Sequence, residues 1–177
     1  MGEIVLAGKR KLIDAIGIGL IFPIMPDLMD RVGASSTADG AFLGGILMAA
    51  YAAMQFIGSP VIGGLSDSFG RRPVLILSLA ALVVDYVIMA LADTFALLLI
   101  GRLLAGLAGA SYVTAMAYLA DISTPEERSA KFGLVGATFG VGFIIGPALG
   151  GLVAGWSLSA PFWLAAAFSA VNVLFGL

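Results

Sequence analysis

The chain has 177 residues, of which 60% are hydrophobic and 11% are charged, and its formal net charge at pH 7 is −2. Soluble globular domains carry about 25% charged residues, so this chain has too little polarity to cover a surface that faces water. It contains no cysteine and no histidine, which excludes disulfides, thiolate metal sites and Ser-His-Asp hydrolysis. We therefore expect an integral membrane protein surrounded by the lipid bilayer, not an enzyme, and the charge gives no indication of a nucleic-acid partner.

Six apolar runs follow one another, separated by short clusters of charged residues, glycine and proline. One helical crossing of a bilayer needs about 20 residues, and six such spans with short loops fit the length. Membrane β-strands would alternate polar and apolar residues over about ten positions, and these runs do not alternate. The sequence predicts an all-α integral membrane fold, with a single bundle of six transmembrane helices over residues 1–177. The predicted spans are 12–29, 41–64, 74–92, 95–118, 132–154 and 161–177.

The basic residues predict the orientation, because cytoplasmic segments are enriched in Lys and Arg. With a cytoplasmic N-terminus, Arg31 falls in an outside segment and Arg102 falls within span 4. The other basic residues then lie in inside segments: Lys9, Arg10, Lys11, Arg71, Arg72, Arg128 and Lys131. We expect a multi-pass protein of the cell membrane whose N-terminus is cytoplasmic.

An internal repeat relates the two halves of the chain. The segment QFIGSPVIGGL at 55–65 returns as GFIIGPALGGL at 142–152, and the same shift places Asp85 of span 3 on Asn172 of span 6. Three spans per unit give the two copies opposite orientations, which predicts a 3+3 inverted repeat of the kind found in secondary transporters. The alternative is a chance similarity between two helix ends that are rich in glycine and proline.

Three ionisable residues lie in apolar runs, and the two carboxylates among them are the candidates for proton coupling. Asp14 in span 1 and Asp85 in span 3 are carboxylates, and an intramembrane carboxylate is costly unless it faces a polar cavity or partner. Such an acid can take a proton from one side and release it to the other; the alternative is a neutral acid that bonds neighbouring helices. Arg102 in span 4 stays charged and needs an anion, either an aspartate of span 1 or a deprotonated Asp85. Its alternative is to extend towards the outer interface.

The segment GGLSDSFGRRP at 63–73 connects spans 2 and 3. We expect a tight turn here, with Gly63, Gly64 and Gly70 supplying backbone freedom. Asp67 can pair with the arginines at 71 and 72; the alternative is a solvated turn without a further role.

Span 5 carries small residues at the spacing that favours close helix crossing, and Pro147 lets the helix bend. The glycines concerned are Gly136, Gly140, Gly142, Gly146 and Gly150. Packing without any gating role is the alternative. After span 4, Ser123 or Thr124 is expected to cap a short helix that begins at Pro125.

Several motifs together resemble the major facilitator superfamily, in which a 3+3 inverted repeat is known. The segment 63–73 is similar to its loop signature, Gly-x-x-x-Asp-Arg-x-Gly-Arg-Arg. Gly63, Asp67, Gly70, Arg71 and Arg72 match, and Ser68 replaces the first arginine. GATFGVGFIIGPALGG at 136–151 resembles the antiporter signature of span 5, and GRLLAGLAGA at 101–110 that of span 4. DAIGIGLIFPIMPDL at 14–28, MQFIGSP at 54–60, VDYVIMA at 84–90 and YLADISTPEER at 118–128 look like the tetracycline-efflux branch.

This resemblance implies the N-terminal half of a twelve-helix drug:proton antiporter, located in a bacterial inner membrane. It implies export of a hydrophobic, tetracycline-like drug in exchange for protons. A chelate of the drug with a divalent cation such as Mg²⁺ is one form of the substrate that the resemblance leaves open, and no cofactor is expected.

The resemblance also implies roles for individual residues. Asp14 and Asp85 match intramembrane acids of the efflux pumps, and Gln55 is implied to contact the substrate, with helix packing as its alternative. An ionic latch is implied between Arg71 and Asp121, beside Arg128. The bend in span 5 is implied to seal one side of the pathway; its motif residues are Gly142, Gly146, Pro147, Gly150 and Gly151.

Three features depart from the family pattern. The basic run at 9–11 stands where the family has apolar residues, so Asp14 lies near the cytoplasmic interface if span 1 begins at Leu12. Ser68 removes one charge from the loop signature. The chain ends within span 6, so a second six-helix half, or a homodimer partner, is expected to complete the cavity.

An inactive or structural half is the alternative function. A water channel would need half-helices that begin with Asn-Pro-Ala, and Asn172 is followed by Val173.

Overall fold

A computed structural model describes residues 16 and 19–176 of the chain, and this part contains helices and no β-strand. A 3-10 turn at Phe22–Ile24 leads into the first helix, which we label α1. The helices are α1 Met25–Arg31, α2 Thr37–Phe69, α3 Arg71–Leu91, α4 Phe95–Gly109, α5 Ser111–Asp121, α6 Pro125–Ala154 and α7 Ala160–Gly176. The all-helical prediction is confirmed for the described residues.

Four helical segments in this part are long and apolar enough to cross a membrane. They are α2, α3, α4 together with α5 (Phe95–Asp121), and α6; α7 supplies a shorter apolar helix at Ala160–Leu174. The first predicted span lies partly outside the described residues. Asp14 and the basic run at 9–11 lie entirely outside them. The exact arrangement of six helices in a 3+3 repeat therefore stays a prediction.

The prediction that residues 63–73 form a turn between spans 2 and 3 is wrong in the length of that turn. Helix α2 continues through Gly63 and Gly64 to Phe69, and α3 begins at Arg71. Gly70 alone separates the two helices, with φ +92°, a conformation that side chains rarely adopt. The charges of the loop signature thus lie on the ends of two helices and not on a flexible loop. Ser66, Asp67 and Ser68 are all compatible with the last turn of a helix.

Two other spans differ from their predicted limits. Span 4 is divided at Ala110, whose backbone N–H bonds the carbonyls of Gly106 (3.1 Å) and Leu107 (3.2 Å), and its second part extends to Asp121. Helix α6 begins at Pro125, so no separate short helix precedes span 5. Thr124 is its N-cap residue without a side-chain bond, and acids follow in its first turn, where the helix dipole favours negative charge.

The core lies near the end of the bundle where α1 ends. It joins fully buried side chains from several elements: Leu20, Leu28, Leu47, Met89, Leu98 and Phe162. The most extensive packing joins α3 to both α4 and α7, and α2 to α4. Helix α3 is therefore central, which explains why an acid on it can be completely buried.

A polar cluster closes this end of the bundle. Arg31 at the end of α1 donates to Asp93 Oδ1 (2.8 Å) and to Ser159 Oγ (2.9 Å), and Ser159 Oγ donates to the carbonyl of Ala90 (2.8 Å). One guanidinium thus joins the ends of α1, α3 and α7. At the opposite end, Arg71 contacts Asp121.

Helices α2 and α6 present large apolar side chains to their surroundings. Phe56 on α2 is 83% exposed and Ile144 on α6 is 75% exposed. Exposed apolar surface of this extent mixes poorly with water and is typical of surfaces that contact lipid or another apolar bundle.

Candidate functional site

Asp85 of α3 and Arg102 of α4 form a buried ion pair. Arg102 Nη2 lies 3.0 Å from Asp85 Oδ2; the aspartate is fully buried and the arginine side chain is 10% exposed. The short connection 92–94 joins the end of α3 to the beginning of α4. At 1.5 Å per residue, Asp85 and Arg102 each lie about 10 Å along their helix from this connection. The antiparallel neighbours α3 and α4 therefore bring them to the same depth. Of the alternatives open for Arg102, the structure has the pairing with Asp85 and not the extension towards the interface.

The pair leaves bonding capacity unused. Within the described part of the chain, Asp85 Oδ1, Arg102 Nε and Thr114 Oγ1 are buried without a hydrogen-bond partner. Buried polar atoms without partners cost free energy, and they concentrate where a proton, a ligand or a conformational change supplies the missing bond. One carboxylate oxygen is thus held by arginine, while the other is available to a proton.

A cavity of about 620 Å³ adjoins the pair. Its wall is mostly apolar and aromatic, and it includes Asp85, Arg102 and Gln55, which the sequence had indicated. Sequence reasoning did not assign the other ring-bearing and thioether residues of this wall: Met25, Met48, Tyr51, Tyr86, Tyr112, Phe139 and Phe143. A mostly apolar wall with few polar groups is typical of sites that bind hydrophobic small molecules.

Small residues of α4 bring Tyr51 and Gln55 to this wall. A Cβ on Gly106 would collide with the backbone oxygen of Tyr51, and one on Gly109 would lie 2.7 Å from the Tyr51 hydroxyl and 3.1 Å from Gln55 Nε2. Helices α2 and α4 can approach this closely only because no side chain intervenes. The small-residue spacing in GRLLAGLAGA was the available signal for this contact.

The glycine motif of span 5 divides between two surfaces. Gly142, Gly146 and Gly150 are buried. A Cβ on Gly146 would lie 2.7 Å from the Cα of Gly19, and one on Gly150 would meet the backbone oxygen of Leu20. These positions pack α6 against span 1, and Pro147 adjoins Gly19 as well.

The remaining glycines of span 5 do not pack in this way. Gly136 and Gly140 line the cavity, and a Cβ on either of them, or on Gly151, would meet nothing within 4 Å. The expectation that Gly136 and Gly140 belong to a close helix crossing is wrong for the contacts within the described chain. Because Gly136 and Gly140 have no side chain, they instead widen the cavity.

The loop signature forms a second, exposed cluster of charges. Arg71 Nη1 lies 2.9 Å from Asp67 Oδ1, and Arg71 Nε lies 3.0 Å from Asp121 Oδ2. Arg71 also donates to Ser66 (3.2 Å), and Arg128 donates to the carbonyl of Ala120 (3.2 Å). The cluster thereby connects the ends of α2 and α3 to the end of α5. Arg72 is exposed in the first turn of α3, and Gly63 lies within α2.

The family model of the Major Facilitator Superfamily matches residues 11–177. The chain belongs to the major facilitator superfamily. Its members are transporters rather than enzymes, and the apolar helices make this chain a multi-pass membrane protein of that family.

Curated relatives of this major facilitator chain agree with the resemblance to tetracycline-efflux proteins. The class C tetracycline resistance protein of Escherichia coli is 46% identical over 173 residues, which cover 98% of this chain and 43% of the relative. The class B protein of the same species is 43% identical, over 92% of this chain and 40% of the relative. Multidrug resistance protein 2 of Bacillus subtilis is 38% identical, over 88% of this chain and 38% of the relative.

A solved structure shows the same fold. The crystal structure of the human organic anion transporter MFSD10 (TETRAN) superposes with a TM-score of 0.86 at 27% identity, covering 98% of this chain and 46% of that one. The chain thus spans less than half the length of these relatives. The prediction of a relationship to the N-terminal half of a tetracycline-efflux transporter is confirmed.

Proposed function

We propose that this bundle is the N-terminal half of a secondary transporter that exports a hydrophobic, tetracycline-like drug in exchange for protons. The observation that carries the proposal is the buried Asp85–Arg102 pair in the wall of an apolar cavity of about 620 Å³. Its relatives include tetracycline and multidrug resistance proteins, which supports this class of substrate.

The geometry supports a role for Asp85 as the proton carrier. While Asp85 is ionised, its Oδ2 is held by Arg102 and its charge is compensated. A proton on the carboxyl group removes that charge, weakens the pair and leaves Arg102 in need of another anion. A change in protonation therefore alters which helices are held together around the cavity, which is what coupling requires. Asp14 is proposed as a second acid, and Gln55 as a substrate contact.

The substrate is proposed to bind in the cavity through apolar contacts, with Tyr51, Gln55 and Arg102 available for polar ones. A divalent cation such as Mg²⁺ would enter as part of the drug chelate and not as a resident cofactor. At the other end, the contact between Arg71 and Asp121 is proposed to act as a latch that is closed when the inner side is shut.

The test is drug-dependent proton movement in vesicles that contain the full-length transporter with this bundle. Asp85→Asn keeps the size of the side chain but cannot exchange a proton, so we expect it to abolish exchange. Asp30→Asn, which removes an exposed carboxylate at the end of α1, is the matched control and should retain exchange. Intact exchange in Asp85→Asn would contradict the proposal.

We propose that the N-terminus is cytoplasmic and that the Arg71 end of the bundle faces the inside. These 177 residues contain no cysteine, so a single introduced cysteine is the only thiol within this bundle. Ser68→Cys should react with a membrane-impermeant maleimide only after the cells are permeabilised, and Ser35→Cys should react from outside. The reverse pattern would overturn this orientation.

We also propose that a second six-helix bundle completes the transport pathway, with the 3+3 inverted repeat as the internal arrangement of this half. The exposed apolar faces of α2 and α6 and the coverage of less than half of each relative support this. An inactive or structural half is the competing function. Vesicles with this chain alone should show no exchange, and co-expression of a six-helix second half should restore it; exchange by the chain alone would favour a homodimer.

A further inference from the structure

We propose that Gly101 is a positioning residue, which sets the place of the Asp85 carboxylate so that it meets Arg102. The inference rests on the proposed function, because it assigns a determinant of the same proton site. Gly101 immediately precedes Arg102 on α4 and faces α3.

The space beside Gly101 is occupied by the carboxylate itself. A Cβ at position 101 would lie 2.7 Å from Asp85 Oδ1, 3.2 Å from Met89 Sδ and 3.4 Å from Met89 Cγ. The first of these distances is shorter than a carbon and an oxygen that are not bonded can tolerate. Asp85 and Met89 are both fully buried, so a shift of either side chain would change contacts inside the bundle.

The backbone gives no other reason for glycine here. Gly101 lies within α4, and the glycines with positive φ in the described residues are Gly33 and Gly70. Alanine would favour this helix by about 1 kcal/mol over glycine. The glycine therefore costs helix stability, and the space that it leaves for the carboxylate is the compensating gain.

A methyl group at position 101 would displace Asp85 or separate α3 from α4. Either movement disturbs the 3.0 Å contact between Asp85 Oδ2 and Arg102 Nη2. Gly101 does not line the cavity. The added methyl group would therefore lie outside the cavity, and we expect the substitution to slow proton exchange more than it weakens drug binding.

The experiment compares Gly101→Ala, Asp85→Asn and the control Val84→Ala in the full-length transporter. Val84 directly precedes Asp85 on α3, its residue is 53% exposed, and it does not line the cavity. We expect Gly101→Ala to bind the drug within about twofold of the parent but to exchange at least tenfold more slowly, and Val84→Ala to match the parent in both.

A second measurement keeps the test informative if Gly101→Ala folds poorly. If the methyl group acts through the carboxylate, Gly101→Ala should lower Tm in the parent but not in an Asp85→Ala background, where the colliding group is absent. An equal loss of Tm in both backgrounds would show general packing and overturn the inference.

The outcomes also separate the inference from the proposed function. If Asp85→Asn abolishes exchange and Gly101→Ala exchanges at the parental rate, the role of Gly101 is wrong and the proton site stands. If Asp85→Asn retains exchange, both fail.

Discussion

Two arginine–carboxylate pairs in this bundle have the same nitrogen–oxygen distance and opposite surroundings. Arg102–Asp85 and Arg71–Asp121 are both 3.0 Å apart. In the first pair the side chains are 10% and 0% exposed, and in the second they are 26% and 58% exposed. Distance alone therefore does not describe what either pair contributes.

The difference in burial gives the two pairs different energetics. A charge in the interior has no water to stabilise it, so each member of the buried pair depends on the other. Exposed pairs contribute about 0–1 kcal/mol, because water and salt can replace either partner. The buried pair is suited to respond to a single proton, and the exposed pair is suited to open and close readily.

The largest expected effect breaks the buried pair from the arginine side. Arg102→Leu leaves the Asp85 carboxylate buried without a cation, and we expect the bundle to lose about 3–5 kcal/mol of unfolding free energy. Adding Asp85→Asn should recover much of this loss, because the uncompensated charge is removed. Denaturation in detergent measures both variants, and simple additivity of the two changes would contradict the dependence.

An intermediate effect is expected when the exposed pair is reversed. Arg71→Asp and Asp121→Arg should each reduce transport, and their combination should transport better than either single variant. Recovery should remain incomplete because Asp67, which also contacts Arg71, would then face an aspartate four residues away. Drug efflux from vesicles measures this series; no recovery in the double variant would remove the latch from the account.

The smallest effect is expected at the opposite end of the bundle. Arg31→Gln removes the positive charge that forms an ion pair with Asp93. The two side chains of this pair are 28% and 78% exposed. Because Asp93 is mostly exposed, water can replace its arginine partner, so the loss should cost about 1 kcal/mol at most, and high salt should reduce the difference further. A loss as large as that of Arg102→Leu would show that exposure does not separate the two classes of pair.

The sequence predicted the residues of the pairs Arg102–Asp85 and Arg71–Asp121, but only part of how they are arranged. Asp85 and Arg102 stood out because single charges interrupt apolar runs, yet an aspartate of span 1 was an equal partner for Arg102. The choice of Asp85 depends on how far α3 and α4 extend from their short connection. Hydropathy also placed the end of span 2 at 64, because it does not report that a polar segment can continue a helix to Phe69.

Contacts made by small residues were the least predictable part of the site. The spacing of glycines in span 5 indicated close packing, but not that Gly146 and Gly150 face span 1 while Gly136 and Gly140 face the cavity. Likewise, the three-way contact of Arg31 joins residues far apart in the chain, and its members are ordinary surface residues in the sequence. Such contacts depend on the mutual placement of helices, which the hydrophobic pattern does not specify.

The most direct test of the central claim is the protonation of Asp85 itself. Infrared difference spectra of the full-length transporter, with and without drug, report the carbonyl band of a protonated carboxylic acid, and its loss in Asp85→Asn assigns the band to this residue. The account predicts that this band appears or disappears when the drug binds. A carboxylate that stays ionised in both states, with exchange intact, would contradict it.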